Sequence, residues 1–136
     1  MPVYLEFHVT SATLPAVQLT SYSGGLSVQE GTASGGAGAG KVILLPVSVT
    51  FGFVDFLPEI IGFTAKGLLL PAVQIGFLQT AKSRPTAIVT LNRALITSLI
   101  ATSTGATPGA ELVFEAETIT TDTYSTDGKL LYSVTV

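Results

Sequence analysis

Residues 35–41 have the spacing of a phosphate-binding loop. From Gly35 to Lys41 the chain follows the pattern G-x-x-x-x-G-K, in which backbone N–H groups cradle phosphates and the lysine contacts the terminal phosphate oxygens. The motif continues with Ser or Thr, whose oxygen binds Mg²⁺, but this chain has Val42 there. Such a loop also leads into a helix, whereas the β-branched run after Lys41, interrupted by Pro46, predicts a strand. We therefore expect no nucleotide or other cofactor at this loop.

Two groups of titratable side chains are candidates for acid–base chemistry or metal binding. His8, the single histidine, follows Glu6 by two positions, and the sequence offers it no second ligand or nucleophile. A solvated or interface histidine is the simpler interpretation. Glu115 and Glu117 share one face of a predicted strand, but a catalytic pair needs one desolvated carboxyl. Alternation places both glutamates on the outer face, so a solvated surface is the expected result.

The remaining motifs also favour a protein without catalytic or metal-binding residues. Asp122, Asp127 and Gly128 lie near a predicted turn, but their spacing does not match an EF-hand calcium loop. The chain has no G-x-S-x-G motif and a single histidine, so no catalytic triad is indicated. It also has no cysteine, which excludes disulfides, thiolate metal sites and cysteine nucleophiles. We therefore expect the protein not to be an enzyme.

The composition predicts self-assembly independently of any motif. Only 11% of the 136 residues are charged, against about 25% in typical soluble domains. The mean hydropathy is +0.60, which is high for a small domain that remains a monomer. Because large exposed apolar patches usually mark interfaces, we expect part of this apolar surface to be covered in an assembly. The net charge is −3 and the basic residues are scattered, so no nucleic-acid partner is expected.

The sequence does not predict insertion into a membrane. Polar and proline residues divide the apolar region 42–80, so that no run of about 20 apolar residues remains. They are Pro46, Asp55, Pro58, Glu59 and Lys66. The first ten residues, MPVYLEFHVT, also lack the basic and apolar regions of a signal peptide. If the protein leaves the cell, we expect it to use another route.

Hydrophobic periodicity predicts a mainly β fold: a compact antiparallel β-barrel-like domain with one short α-helix, formed by residues 1–136 as a single domain. Leu5 and Phe7 alternate with polar residues in the first strand. The helix is expected at about 56–65, with Asp55 and Pro58 at its start and Gly67 at its end. Further strands are predicted at 16–22, 26–30, 42–53, 68–79, 86–93, 95–102, 110–122 and 129–136.

In their order and spacing, these segments resemble the Hcp family, the haemolysin-coregulated proteins that form the inner tube of the type VI secretion system. The resemblance covers roughly residues 37–136 and is weaker before them. It rests on the loop ending in GAGKV (38–42), on VDFLPEI (54–60), on KG (66–67), on ALITSLIATS (94–103) and on ELVFEAETITTDTY (111–124). The chain departs from the family at Leu57, where the family commonly has a serine that caps the helix, so Asp55 is expected to cap it instead.

The resemblance implies a structural subunit whose hexameric rings stack into a hollow tube that carries effectors. The implied partners are other copies of the chain, sheath and spike proteins, and effectors. It also implies synthesis in the bacterial cytoplasm and secretion through the apparatus itself. The glycine-rich loop 31–41 would then contact a neighbouring ring, because its small residues can lie flat against another backbone. The candidate stacking residues are Gly35, Gly36, Ala37, Gly38, Ala39, Gly40 and Lys41.

Two alternatives remain open from the sequence. The first is a tail-tube or filament subunit of another contractile injection or extracellular system, which shares the same assembly logic. The second belongs to a different class: a β-barrel that encloses a small apolar ligand. A ligand-binding barrel needs no exposed apolar surface, so the oligomeric state distinguishes it from the assembly hypothesis.

Overall fold

The computed structural model describes residues 2–10, 13–29, 41–80, 84–104 and 107–136. Nine strands and one helix lie in these ranges. In chain order they are β1 (Val3–His8), β2 (Val17–Ser23), β3 (Leu26–Gln29), β4 (Lys41–Leu44), β5 (Val47–Gly52), α1 (Leu57–Ala65), β6 (Leu70–Leu78), β7 (Pro85–Thr104), β8 (Thr107–Tyr124) and β9 (Leu130–Thr135).

Six of the strands close into an antiparallel barrel. Around the barrel the order is β5-β2-β1-β6-β7-β8, and β8 pairs back with β5 from Val47↔Phe114 to Gly52↔Gly109. β9 is an additional strand on the same edge of β8, and it pairs with the part of β8 beyond β5. β3 and β4 form a separate two-stranded hairpin. The predicted mainly β, barrel-like fold with one short helix is therefore confirmed.

The barrel interior is filled by alternate residues of its strands. On β1, Leu5 and Phe7 are buried whereas Glu6 and His8 are exposed, as the alternation predicts. The largest fully buried side chains include Phe51. Others come from β5, β6, β7, β8 and the helix: Val49, Ile75, Leu91, Phe114 and Ile60. Apolar burial of this kind is the main favourable term in folding.

In the two longest strands, β7 and β8, the regular alternation of inward and outward side chains is interrupted at the same height in the barrel. Leu91 and Ala94 are both buried on β7, so one residue between them does not follow the two-residue alternation. Arg93 has a φ of 52°, and its Nε lies 2.6 Å from an Oε2 of Glu117 on β8. Nearby, the Asn92 amide donates to the Thr118 hydroxyl at 3.0 Å. The sequence predicted separate strands at 86–93 and 95–102, but these bonds keep β7 continuous through the irregularity.

Helix α1 contributes to the same core. Its Phe63 ring lies 6.3 Å from the Phe7 ring, which in turn lies 6.2 Å from Phe114. Gly67, with a φ of 59°, ends the helix, and Leu68 N–H donates to the Phe63 carbonyl at 3.0 Å. This six-to-one bond with a left-handed glycine is a Schellman motif. The predicted helix at about 56–65 and its glycine stop are confirmed.

The start of α1 differs from the expectation in one detail. Asp55 lies in the turn before the helix and Pro58 in its first turn, but the N-cap residue is Phe56 and no side chain caps the helix. The expected cap by Asp55 is therefore not formed. Since proline has no N–H to satisfy, one of the unpaired donors of the first turn is removed by Pro58 itself.

The predicted strand 42–53 is divided into two strands that belong to different sheets. β4 ends at Leu44 and β5 begins at Val47, because Pro46 cannot donate to a ladder. Leu45 N–H still donates to the Gly25 carbonyl at 2.9 Å, which extends the β3–β4 hairpin by one bond. In the described part of the chain, α1 falls short of the length and apolarity with which a helix crosses a bilayer.

Candidate assembly surfaces

The β3–β4 hairpin exposes one apolar face. Leu26 pairs with Leu44, and Val28 pairs with Val42, so these four side chains lie on the same side of the hairpin. Val28 is 58% exposed and Val42 is 49% exposed. Because large exposed apolar patches usually mark interfaces, this face of the hairpin is a candidate contact surface.

The final strand, β9, is exposed on both faces. Its apolar side chains Tyr132 and Val134 are 79% and 57% exposed, and every residue of the strand is exposed. Within the described residues, β9 pairs only with β8, so its second edge keeps unpaired N–H and C=O groups. Monomeric proteins usually protect such an edge with lysine, proline or a charge. β9, LLYSVT, contains none of these.

An apolar cleft lies between the hairpin and β9. The cleft has a volume of about 120 Å³, and we refer to it as the β9 cleft. Leu26 and Leu44 of the hairpin line one part of it, and Val136 after β9 lines another. Ile119 of β8 and Tyr22 of β2 complete its apolar walls. The exposed residues Tyr132 and Val134 lie on the same face of β9 as Val136 and extend this apolar surface.

The most exposed phenylalanine lies at the other end of β5. β5 begins at Val47, next to the hairpin, and ends at Gly52, one residue before Phe53. The Phe53 side chain is 65% exposed, while its backbone N–H donates to the Pro108 carbonyl at 3.2 Å. Phe53 is therefore an apolar side chain that projects from a backbone position held by the sheet.

Two further strand edges are unpaired at one level of the barrel. Four strands lie side by side in the order β2, β5, β8 and β7, and the pairs Ser21↔Thr50, Thr50↔Glu111 and Glu111↔Ile100 form one row across them. In the described residues, the β2 segment around Ser21 pairs only with β5. The β7 segment around Ile100 pairs only with β8. This four-stranded sheet therefore has a free edge on each side at the same height.

The candidate acid–base and metal groups lie apart on the outer surface. The His8 Nε2 and a Glu6 carboxylate oxygen are 3.5 Å apart, and both side chains are about half exposed. Glu117 forms an ion pair with Arg93, and both side chains are 63% exposed. Glu115 is also exposed. No three metal-ligating side chains come together in the described ranges. The expected solvated carboxylates on the outer face agree with this arrangement.

Asp127 belongs to the turn between β8 and β9 rather than to a metal site. Its carboxylate accepts hydrogen bonds from the Ser125 hydroxyl and from the Lys129 backbone N–H. These two bonds hold the pKa of Asp127 below its usual value. Gly128 has a φ of 89°, and Arg84 Nη1 donates to the Asp127 carbonyl at 2.6 Å. The residues therefore fix the geometry of the turn.

The predicted stacking loop lies mostly outside the described residues. Gly35, Gly36, Ala37, Gly38, Ala39 and Gly40 are all in the range 30–40, so the structure says nothing about them. Lys41 is the first residue of β4, is exposed and pairs with Gln29. Because a strand follows Lys41, the lysine is not placed at the start of a helix as a phosphate-binding loop requires.

The apolar side chains that fill the barrel leave its interior occupied by protein. Val73, Ile75 and Leu112 are fully buried there. A pocket of about 350 Å³ lies instead on the outside of the barrel, where outward-facing residues of β1, β6 and β7 line it, among them Tyr4, Gln74 and Ile88. The enclosed apolar cavity that the ligand-barrel alternative needs is not formed by these described core residues.

Sequence reasoning did not identify β9 or Phe53 as assembly surfaces. The alternation of Leu130, Tyr132, Val134 and Val136 predicts a strand but not whether its apolar face is covered. The available signal was the absence of charge in LLYSVT, since exposed edges usually carry lysine or proline. For Phe53 no local pattern distinguished it from the buried Phe51 two residues earlier.

Comparison with known proteins identifies the fold. No family model and no curated protein matches the sequence. Among solved structures, an Hcp protein shares 17% identity with a TM-score of 0.80, covering 100% of this chain and 98% of that chain. Hcp1 of E. coli EAEC 042 shares 13% identity with a TM-score of 0.76, over 100% and 99% of the two chains. The secreted protein Hcp3 of Pseudomonas aeruginosa shares 15% with a TM-score of 0.75, over 99% and 96%. The chain has the Hcp fold, which confirms the predicted resemblance at the level of structure.

Proposed function

We propose that this protein is the structural subunit of a type VI-like secretion tube, in which hexameric rings stack into a hollow tube that carries effectors. The observation that carries the proposal is the combination of the Hcp fold with two free, level strand edges and an apolar hairpin face. The role is structural rather than catalytic, and the main partner is a second copy of the same chain.

The accessible surface supports an assembling subunit. The chain exposes 8223 Å², whereas a compact monomer of 14.0 kDa is expected to expose about 6,700 Å². The difference is about 1,500 Å², about twice the roughly 800 Å² that each partner of a standard interface buries. The hairpin and β9 both expose apolar side chains.

The free edges of β2 and β7 supply a mechanism for ring closure. Ser21 and Ile100 lie in the same row across the four strands β2, β5, β8 and β7. Neighbouring strands in this set are antiparallel, so β7 of one copy would be antiparallel to β2 of the next. A head-to-tail interface of this type closes into a ring when the rotation between copies permits it. The outward face of the four strands, which includes Thr50 and Glu111, would then line the channel.

The hairpin and its loop supply a mechanism for stacking. The loop 31–41 connects β3 to β4, so it begins from the apolar hairpin that carries Val28 and Val42. A glycine- and alanine-rich segment can approach another backbone closely, because it has few side-chain atoms to clash. Ordering the loop on contact costs conformational entropy, and burial of the adjacent apolar face would offset that cost.

The test is the assembly state of the full chain and of a loop deletion. Light scattering of the purified protein should give a species of about 84 kDa, six times the 14.0 kDa chain, and negative-stain microscopy should show rings and tubes. Deleting 33–39 should leave the rings intact and shorten or abolish the tubes. A monomer at all concentrations would refute the proposed function. Tubes of unchanged length in the deletion variant would refute the role of the loop alone.

The proposed localisation follows from the proposed machine. A subunit of such a tube is made in the bacterial cytoplasm and leaves the cell through its own apparatus, where it meets sheath and spike proteins and effectors. Secretion into the medium should therefore depend on the apparatus. Release that continues in cells without a functional sheath would contradict this part of the proposal.

A further inference from the structure

We propose that Phe53 of one copy inserts into the β9 cleft of a second copy, so that copies also associate end to end through a contact separate from the loop 31–41. The inference rests on the proposed function, because it names a contact between stacked subunits. It adds a specific side chain and a specific receiving surface, neither of which the loop hypothesis uses.

The cleft has the size and chemistry of a site for one large apolar side chain. Its volume is about 120 Å³, and Leu26, Leu44 and Val136 supply aliphatic walls. Tyr22, which is T-shaped against Phe77 at a ring distance of 5.4 Å, adds an aromatic edge. Since the lining includes no charged side chain, an apolar group would displace water there without leaving a buried charge unpaired.

Phe53 has the complementary properties. At 65% exposure it presents most of its ring to solvent, and the bond from its N–H to Pro108 fixes the backbone from which the ring projects. Because this backbone is already ordered, insertion of the ring costs mainly its own rotamer entropy, and aromatic residues are common interface anchors.

The placement of the two surfaces determines the type of assembly. The cleft adjoins the Val47 end of β5, and Phe53 follows the Gly52 end, so a strand about 20 Å long separates them. A side chain and a pocket at different places on one molecule make a heterologous contact, which continues from copy to copy instead of closing as a pair. Contact along the β5 direction therefore repeats end to end.

The unprotected edge beside the cleft favours a second copy as the occupant. β9 has no charge or proline that would keep another chain away. The surface of the chain exceeds that of a compact monomer by about 1,500 Å², which is more than the roughly 800 Å² that each partner of a standard interface buries. A two-fold pairing of β9 with β9 would also cover this edge, but it would leave Phe53 exposed, so the experiment must separate the two arrangements.

The absence of cysteine from the sequence allows a direct cross-linking test. Phe53→Cys and Val134→Cys are prepared as separate single variants, mixed during assembly and oxidised mildly. Val134 lies on the face of β9 that carries Val136, whereas its neighbour Ser133 lies on the opposite face and is also exposed. Ser133→Cys mixed with Phe53→Cys is therefore the matched control.

The expected result is a disulfide-linked dimer of about 28 kDa, twice the 14.0 kDa chain, in the Phe53→Cys and Val134→Cys mixture. The control mixture and each variant alone should give at least tenfold less. Dimers of Val134→Cys alone would overturn the proposal in favour of two-fold β9 pairing. Rings and tubes without the mixed dimer would overturn the Phe53 contact and leave the proposed function standing, whereas a chain that stays monomeric would overturn both.

A second experiment uses substitutions of Phe53. Phe53→Ser should raise the protein concentration needed for tubes at least tenfold, whereas Phe53→Leu should form tubes at nearly the same concentration as the unmodified protein. Equal thresholds for the two substitutions would count against the contact.

Discussion

Replacing the exposed valine pair of the hairpin should weaken tube formation without affecting the fold. Val28 and Val42 face each other across β3 and β4 and are 58% and 49% exposed. Neither supports the barrel core, so a Val28→Ser, Val42→Ser variant should change the free energy of unfolding by no more than about 0.5 kcal/mol, as is usual for surface substitutions. The effect is expected in assembly instead.

The magnitude follows from the area that remains exposed. Complete burial of a valine stabilises by about 1.5–3 kcal/mol. About half of each side chain is already covered, so each valine has about 1 kcal/mol left to contribute. Two per copy give about 2 kcal/mol, so the six copies of the proposed hexameric ring together give about 12 kcal/mol per ring–ring junction. Since about 1.4 kcal/mol corresponds to tenfold, even a quarter of that total would weaken the junction by more than about tenfold.

The assay measures tube formation and ring formation separately. Negative-stain microscopy and sedimentation give the protein concentration at which tubes appear, and light scattering gives the mass of the ring. The control is Ile43→Ser, which removes a similar apolar group from the other face of the hairpin, where Ile43 pairs with Ser27. We expect the double valine variant to form rings but to need at least a tenfold higher concentration for tubes, and the control to behave as the unmodified protein.

Three results would refute the reasoning in different ways. Tubes of normal length at the normal threshold in the Val28→Ser, Val42→Ser variant would mean that this face is not buried between rings. Loss of rings with an unchanged melting temperature would mean that the hairpin contacts a neighbour within the ring. An equal loss of tubes in the Ile43→Ser control would mean that general apolarity, rather than this face, determines assembly.

Two predictions concern the fold. Phe7→Ala should lower the free energy of unfolding by about 3–5 kcal/mol. In a double-mutant cycle with Phe63→Ala, measured by denaturant unfolding, the two substitutions should show a coupling energy of about 0.5–1.5 kcal/mol. Strictly additive effects would mean that the contact between the two rings contributes nothing to stability. Gly128→Ala should cost about 1–3 kcal/mol, because φ is 89° and the added Cβ would lie 2.5 Å from Arg84 Nη1. Gly52→Ala, where a Cβ meets no atom within 4 Å, is the matched control, and equal stability of the two variants would contradict the assignment.

The helix was predictable from the sequence because its signals are local. Pro58 supplies a preset φ in the first turn, and Gly67 supplies the left-handed residue that ends the helix. The cap by Asp55 was not predictable in the same way, since it depends on the side-chain direction in one turn. The structure places Asp55 before the N-cap residue and without a capping bond.

The strand boundaries depended on contacts that sequence patterns do not contain. The run from Val42 to Phe53 is rich in apolar and β-branched residues on both sides of Pro46. The pattern does not show that its two halves pair with different strands, β4 with β3 and β5 with β2 and β8. In β7 the opposite happened, because Arg93 interrupts the apolar alternation that marks a strand. Asn92 and Arg93 keep the ladder through their bonds to β8, and those partners lie more than twenty residues away.

The sequence predicts that the protein has assembly surfaces, but it does not predict which residues form them. Low charge and high hydropathy predict an assembly without naming its surfaces, and period-two alternation assigns side chains to two faces without saying which face is covered. β1 and β9 illustrate the limit: both alternate, yet Leu5 is fully buried in the barrel while Tyr132 is 79% exposed. Neighbouring elements determine this difference in burial. β1 pairs with a strand on each side and its Phe7 packs against Phe63 of α1, whereas β9 pairs with β8 alone among the described strands.

The distribution of the apolar residues explains the unusual composition. A surplus of hydrophobic residues could enlarge the core or spread over the surface, and a scattered surplus needs no explanation. Here many of the exposed members lie on the hairpin, on β9 and at Phe53, at the two ends of β5, and others lie on or just after α1 and on β7: Ile61, Leu68, Leu69 and Ile100. Between these ends, the outer positions of the barrel carry hydroxyl and amide groups that bond to one another, such as Asn92 with Thr118 and Thr120 with Thr135. Apolar surface at the hairpin, on β9 and at Phe53 therefore fits the end-to-end contacts proposed above, whereas the ring contacts proposed for the free edges of β2 and β7 would be made mainly by backbone hydrogen bonds.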